Sequence, residues 1–218
     1  MQVKNLGEHP SILNKFISEL RDVSIQSDRM RFRRNIERIG EVLGYELSKS
    51  LSYNQVDIKT PLGISKCDLP EEDVVICSIL RAGLPFHQGL LNYFDSAENT
   101  FISAYRHHIS ETEFEIKVEY LASPSLENKI LILADPMLAT GRSFVNVYNA
   151  LKSMGTPREI HLAAVIGSEQ GVAHLADHFP EKTKLWIATV DKELNDKGYI
   201  VPGLGDAGDL SFGIKLQH

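Results

Sequence analysis

An α/β fold built on a parallel sheet is the architecture this sequence predicts, and three observations carry it. Residues 74–79 (Val74, Val75, Ile76, Cys77, Ser78, Ile79) and 130–133 (Ile130, Leu131, Ile132, Leu133) form apolar runs bounded by polar residues. Runs of that length without alternation read as strands buried on both faces, which is the condition of a parallel sheet. Each run is followed by helical spacing: Phe86, Leu90, Leu91 and Phe94 after the first, Phe144, Val147, Tyr148 and Leu151 after the second. Strands alternating with helices imply parallel strands joined by right-handed crossovers. Third, the runs end in charged and small residues, Arg81-Ala82-Gly83 and Asp135 to Ser143. The carboxyl ends of strands are where open α/β sheets bind ligands.

Composition sets the limits. The 218 residues are 43% hydrophobic and 24% charged, an ordinary globular balance, and the length favours one domain with a sizeable core. No repeat, low-complexity tract or linker divides it. A formal net charge of -6 argues against nucleic acid as the main partner. A polyanionic ligand must then meet a local cluster of cations. Cys67 and Cys77 fit no metal spacing, and Cys77 reads as a small core residue. Residues 1–8 have no apolar segment of signal type, and no stretch is long enough to span a bilayer. The expectation is a soluble cytoplasmic protein without a membrane partner.

Taken in order, Ile12, Leu13, Phe16, Ile17 and Leu20 give an amphipathic helix over residues 11–21. A longer helix is expected over 29–51, with Phe32, Ile36, Ile39, Leu43 and Leu47 on one face. Its basic residues, Arg29, Arg31, Arg33, Arg34 and Arg38, read as a solvated or subunit-facing surface, because the apolar face is complete without them. Val56 and Ile58 alternate with Asp57 and Lys59 as in a half-buried strand that Pro61 ends. Residues 100–105 predict a strand, and the alternation of Phe114, Ile116 and Val118 predicts a protruding hairpin over 106–128. His107 and His108 are adjacent, so on a strand they face opposite ways and do not ligate together. Residues 160–166 and 185–190 read as strands, and 169–179 as a helix. His161, His174 and His178 are isolated along it and read as structural or exposed. The segment 198–213 differs from the rest, with five glycines and Pro202 that permit a tightly shaped loop of exposed backbone.

The stretch 130–143 organises this chain. The strand stops at Asp135, and Pro136 cannot continue a ladder. Thr140, Gly141 and Ser143 make a small-residue turn into a helix that Gly155 and Pro157 stop. Backbone N–H groups at a helix start are unpartnered, and the dipole favours an anion there. Asp135 can accept hydrogen bonds from sugar hydroxyls, and phosphate beside an acid suggests a sugar phosphate. An ordinary turn with Ser143 as N-cap remains the competing reading. No Lys follows Gly141, so the P-loop pattern is absent, as is the Rossmann glycine spacing.

Asp135-Pro136-Met137-Leu138-Ala139-Thr140-Gly141 resembles the phosphoribosyl-diphosphate (PRPP) motif of the uracil phosphoribosyltransferases. Ile79-Leu80-Arg81-Ala82-Gly83, Tyr105-Arg106 and residues 199–209 resemble the same family, in the same order and at similar spacing across roughly residues 25–215. The resemblance implies the type I phosphoribosyltransferase fold: a twisted parallel sheet flanked by helices, a small hood and a β-hairpin flap. One domain over 1–218 would then comprise an N-terminal helical arm (about 1–55), the flap (about 106–128) and a uracil-binding hood loop (about 198–213). It also implies the reaction of uracil with PRPP to UMP and diphosphate, in pyrimidine salvage, with Mg²⁺ carried on PRPP and no metal ligands of the protein's own. Arg81, Asp135 and Asp206 would be catalytic. Arg81, Arg106, Asp206 and the run from Asp135 through Pro136, Met137, Leu138, Ala139, Thr140, Gly141 and Arg142 to Ser143 would bind PRPP. Ile200, Gly205, Asp206 and Ala207 would face uracil, whose alternating donors and acceptors suit backbone groups on a rigid loop. A homodimer or higher homo-oligomer is implied, and a non-proline cis peptide at or beside Arg81. The chain departs from the family at Arg142, where many members carry Gly, and at His107, where the family often has Asp. A same-fold transferase for another base and a regulatory RNA-binding protein are the alternatives.

Overall fold

The computed structural model describes residues 1–70, 73–108 and 114–216, with the backbone alone for residues 104–108 and 114–119. In chain order the elements are β1 (Gln2–Asn5), α1 (Ile12–Arg21), α2 (Arg29–Ser48), β2 (Tyr53–Thr60), β3 (Gly63–Pro70), β4 (Val74–Leu80), α3 (Gly83–Leu91), β5 (Glu98–His108), β6 (Phe114–Ala122), β7 (Ile130–Ala134), β8 (Met137–Leu138), α4 (Arg142–Leu151), β9 (Glu159–Ser168), α5 (Glu169–His178), β10 (Lys184–Asp191), β11 (Glu193–Leu194), β12 (Ile200–Val201) and α6 (Ala207–Phe212).

The main sheet runs β1-β10-β9-β7-β4-β5-β6, with β8 also paired to β9. All its pairings are parallel except β5 with β6. The fully apolar strands β4 and β7 lie side by side at its centre, Val74 opposite Ile130 and Ser78 opposite Ala134. Their side chains alternate between two cores. Val74, Ile76, Ile130 and Ile132 pack with Phe32, Ile36, Leu43 and Phe86 of α2 and α3. Val75, Cys77, Leu131 and Leu133 pack with Phe144, Val147 and Leu175 of α4 and α5. Helices on both faces explain why these strands carry no polar alternation.

Local signals set the helix starts. Ser11 caps α1 through a reciprocal capping box with Asn14, and Asp28 caps α2 at the Arg31 N–H. Three arginines of α2 have partners: Arg31 pairs with Glu19, Arg34 with Glu37, and Arg33 donates to the Ser211 carbonyl. Cys77 lies in the core, where burial pushes its thiol up to about 12. His161 is also buried, accepting at Nδ1 from Trp186 Nε1 at 3.1 Å, with Nε2 2.9 Å from Glu159.

Four features differ from the sequence expectation. β2 pairs antiparallel with β3 in a separate two-stranded sheet, and both its faces are exposed rather than half-buried. Alternation marks a possible apolar face but cannot say what covers it. Leu62 at the hairpin tip is 100% exposed and Ile64 is 74% exposed. β1, unread in the sequence, adds to the main sheet beside β10. The helix expected over 29–51 ends at Ser48. The segment 198–213 is not loop throughout: it holds β12, paired with β11, and the short helix α6. Of the expected flap, β5 and β6 pair as a hairpin with a register shift at Ser103/Ala104. Residues 109–113 and the side chains of Arg106, His107 and His108 lie outside the described residues. No described helix is long and apolar enough to cross a membrane.

Candidate active site

Three adjacent strands, β7, β4 and β5, deliver Asp135, Arg81 and Arg106 at or just past their carboxyl-terminal ends. The loop from β7 to α4 is tied to the sheet through its backbone. Asp135 N–H donates to the Ala163 carbonyl at 3.1 Å, and the Pro136 carbonyl accepts from Val165 and Ile166. Leu138 is buried in the core, so the loop presents backbone at that position. Gly141 stands at the N-cap of α4 with φ 77 and no side-chain cap, so Ser143 is not the N-cap. A positive φ there favours glycine, and a Cβ would also meet the Gly171 carbonyl at 3.0 Å. The turn leaves the first N–H groups of α4 facing a cavity of about 140 Å³, lined by Asp135, Met137, Ala139, Thr140, Gly141, Ser143 and Phe144.

Asp135 sits at the back of this cavity, with part of its surface open to it. Burial pushes its carboxyl up to about 7, against the pull of the Met137 N–H that donates to Oδ1 at 3.1 Å. Arg142 takes an ordinary φ as the first residue of α4, leaving Gly141 the left-handed conformation. Its side chain is exposed. Burial, the His178 ring and the Arg142 charge together lower the His174 pKa.

The second loop follows β4. The Leu80–Arg81 peptide is cis, and Gly83 lies against Ser78 and the Ala134 carbonyl, which brings the loop beside Asp135. Arg81 Nη2 donates to Asp209 Oδ1 at 2.8 Å and to the Gly213 carbonyl at 3.1 Å. Beneath it, Ser78, His87 and Asn99 form a chain, each link 2.8 Å. Burial lowers the His87 pKa, although Asn99 opposes it.

The third loop carries the glycines. Val201–Pro202 is also cis. Asp206 N-caps α6 by accepting from the Asp209 N–H at 3.0 Å. Burial works to raise its pKa, but that N–H and the Lys215 ammonium at 3.0 Å hold it below the usual carboxylate value. The side chains of Ile200 and Ala207 point into the core. Any flat ring in this loop therefore meets their backbone. Of the residues singled out in the sequence, Arg81 and Asp206 both border Gly208, and the Arg81 loop abuts Ala134, just before the Asp135–Ser143 turn.

The structure also adds residues that the sequence reading missed. Arg21 forks onto Asp191 with two 2.7 Å bonds and reaches the Gly203 carbonyl at 3.0 Å. Asp191 also accepts from Gly203 N–H at 2.9 Å. Burial acts to raise the Asp191 pKa, and Arg21 and this N–H bring it below normal. Ser168 Oγ donates to the Ala139 carbonyl at 2.6 Å, bracing the phosphate turn from β9. In the sequence Arg21 is merely the last residue of a helix, and nothing near it points to a partner 170 residues away.

A mostly parallel sheet flanked by helices, whose central strands end in an acid–small-residue turn and an arginine loop, is the type I phosphoribosyltransferase fold. A family model described as uracil phosphoribosyltransferase matches residues 7–214. A protein of Porphyromonas gingivalis named uracil phosphoribosyltransferase is 52% identical over 99% of this chain and 100% of its own length. One from Pyrococcus furiosus with the same name is 36% identical over 97% of this chain and 90% of its own. The solved structure of the AQ2163 protein from Aquifex aeolicus superposes with a TM-score of 0.87 at 27% identity, covering 99% of this chain and 100% of that one. The chain belongs to the uracil phosphoribosyltransferase family.

Proposed function

We propose that this enzyme joins uracil to the phosphoribosyl group of PRPP, giving UMP and diphosphate, and that the three loops divide the substrates among them. The Arg81 loop supports the assignment of parts: it abuts Ala134, just before the Asp135–Ser143 turn, and Arg81 and Asp206 both border Gly208. The 5′-phosphate takes the N–H groups and hydroxyls of residues 138–143 at the start of α4. Arg81, with Arg106 from β5, holds the diphosphate through charge-assisted bonds. The Gly205–Ala207 backbone and Ile200 read uracil. Asp135 holds the ribose hydroxyls. As positive charge builds at the anomeric carbon, the neighbouring carboxylates stabilise it while diphosphate departs. No nucleophilic side chain is needed, so positioning and electrostatics supply the rate.

Mg²⁺ fits this arrangement as a passenger on PRPP. Mg²⁺ is commonly held by one or two carboxylates with substrate phosphates. Asp206 and Asp209, beside Arg81, are the carboxylates at the diphosphate end. When bound, the ion offsets the charge of the leaving group.

A homodimer or higher homo-oligomer in the cytoplasm completes the reading. The β2–β3 hairpin supports it, because a two-stranded sheet with exposed Val56, Ile58 and Ile64 is marginal in water without a partner. The activity is tested by uracil-dependent diphosphate release from PRPP, with cytosine, hypoxanthine and orotate as controls. Release with uracil alone is expected. Equal or better use of another base overturns the base assignment.

A further inference from the structure

We propose that Lys215 is a diphosphate-binding residue, carried over the site by the strap that follows α6. Gly213 ends α6 with φ 95 and turns the chain back on the helix. The strap then runs along the acids of the base loop. Lys215 N–H lies 3.4 Å from Asp209 Oδ1, and Lys215 Nζ is 3.0 Å from Asp206 Oδ2 and 4.0 Å from Asp209 Oδ1. From the other side Arg81 holds Asp209 and the Gly213 carbonyl. The strap is not held by apolar packing, since Ile214 is 81% and Leu216 92% exposed. The contacts that fold it back are to Arg81, Asp206 and Asp209.

Charge explains why a cation is needed here. Two carboxylates, Asp206 and Asp209, stand where a multiply charged diphosphate has to lie. Arg81 has donors left for diphosphate beyond the Nη2 on Asp209, but its single positive charge cannot offset both anions. Lys215 is 51% exposed, and its ammonium is a point charge on a flexible stem. It can stay near Asp206 and still meet a diphosphate oxygen beside Arg81. The ligand-free protein thus holds both cations beside the acids, where each can turn a donor to the incoming anion. The inference rests on the Arg81 loop being the diphosphate site.

The test compares ligands with and without a diphosphate on the full-length enzyme. Binding of PRPP with Mg²⁺ and binding of UMP are measured by calorimetry for the wild type, Lys215→Met and Lys215→Arg. Lys215→Met is expected to weaken PRPP roughly tenfold, the scale of one charge-assisted hydrogen bond. UMP, which has the 5′-phosphate and the base but no diphosphate, should change less than twofold. Lys215→Arg should recover most of the PRPP affinity. Unchanged PRPP affinity in Lys215→Met overturns the proposal, as does an equal loss for PRPP and UMP, because the latter would mean that Lys215 only orders the Asp206 loop. The wild-type base preference is a separate measurement. If another base were used instead, the PRPP comparison would still decide the role of Lys215.

Discussion

The turn that enters α4 and the loop that enters α6 are held in opposite ways. The first is built from its own strand and helix and the next strand: Gly141 caps α4, and β9 pins Asp135 and Pro136 through backbone bonds. The second is suspended from the hood. Arg21 grips Asp191 and Gly203, Gln26 donates to the Leu204 carbonyl at 3.2 Å, and Arg33 donates to the Ser211 carbonyl at 2.7 Å. An anion needs only a fixed cluster of N–H groups, which one turn supplies. A flat base needs a shaped backbone slot, and a glycine-rich chain keeps a shape only when something else holds it. The phosphate turn should therefore tolerate distant substitutions that loosen the base loop.

The largest effect is expected where the base loop touches the chemistry. Asp206→Asn keeps the N-cap of α6, because Asn caps as well as Asp, but removes the charge. kcat should fall about 100-fold or more, the scale of losing one electrostatic stabiliser, with an unchanged circular dichroism spectrum. Near wild-type turnover would mean that only the loop's backbone matters.

Next comes the suspension itself. Arg21→Ala leaves Asp191 without its counter-ion in a mostly buried site. The KM for uracil should rise roughly tenfold, and stability should drop by about 3 kcal/mol, as when one partner of a buried pair is removed. The dissociation constant for PRPP should stay within about twofold. Equal losses for uracil and PRPP would break the contrast between the loops.

A smaller effect concerns stability at the phosphate turn. The Asp135 carboxyl rises from 3.8 in the unfolded chain to about 7 in the folded protein. The folded state therefore binds more protons between these values. Its stability from this group is present in full below about pH 4 and is lost as pH rises through 7. Asp135→Asn removes that penalty. Its Tm should exceed the wild type's at pH 8 by at least about 2–4 °C, the shift per kcal/mol at this chain length, and the gain should shrink at pH 5. Activity should fall in the same variant. A Tm no higher than wild type at pH 8 would show that the carboxyl is not raised.

The smallest effect is at Arg142. Arg142 has an ordinary φ and an exposed side chain, and the expectation is that the turn uses its N–H. Arg142→Gly should leave the KM for PRPP within about twofold, and a tenfold rise would show that the guanidinium grips a phosphate.

The sequence by itself determined the central sheet and the Asp135–Ser143 turn. Ile130 to Leu133, Asp135, Gly141 and the periodic residues of α4 lie within about two dozen positions, and their structure follows from burial period and helix-start chemistry that act over such spans. Arg81 was legible for the same reason, as the charge just past β4. Tertiary structure decided the rest. It put Arg21 on Gly203, 182 residues away, and Arg81 on Asp209, 128 residues away. It wound residues 207–212 into α6 over the Arg33 side chain, and it left Val56 and Ile58 uncovered despite their strand pattern. Local sequence records what a segment prefers. Which distant charge completes it, or whether anything covers its apolar face, depends on chain crossings that no local pattern encodes.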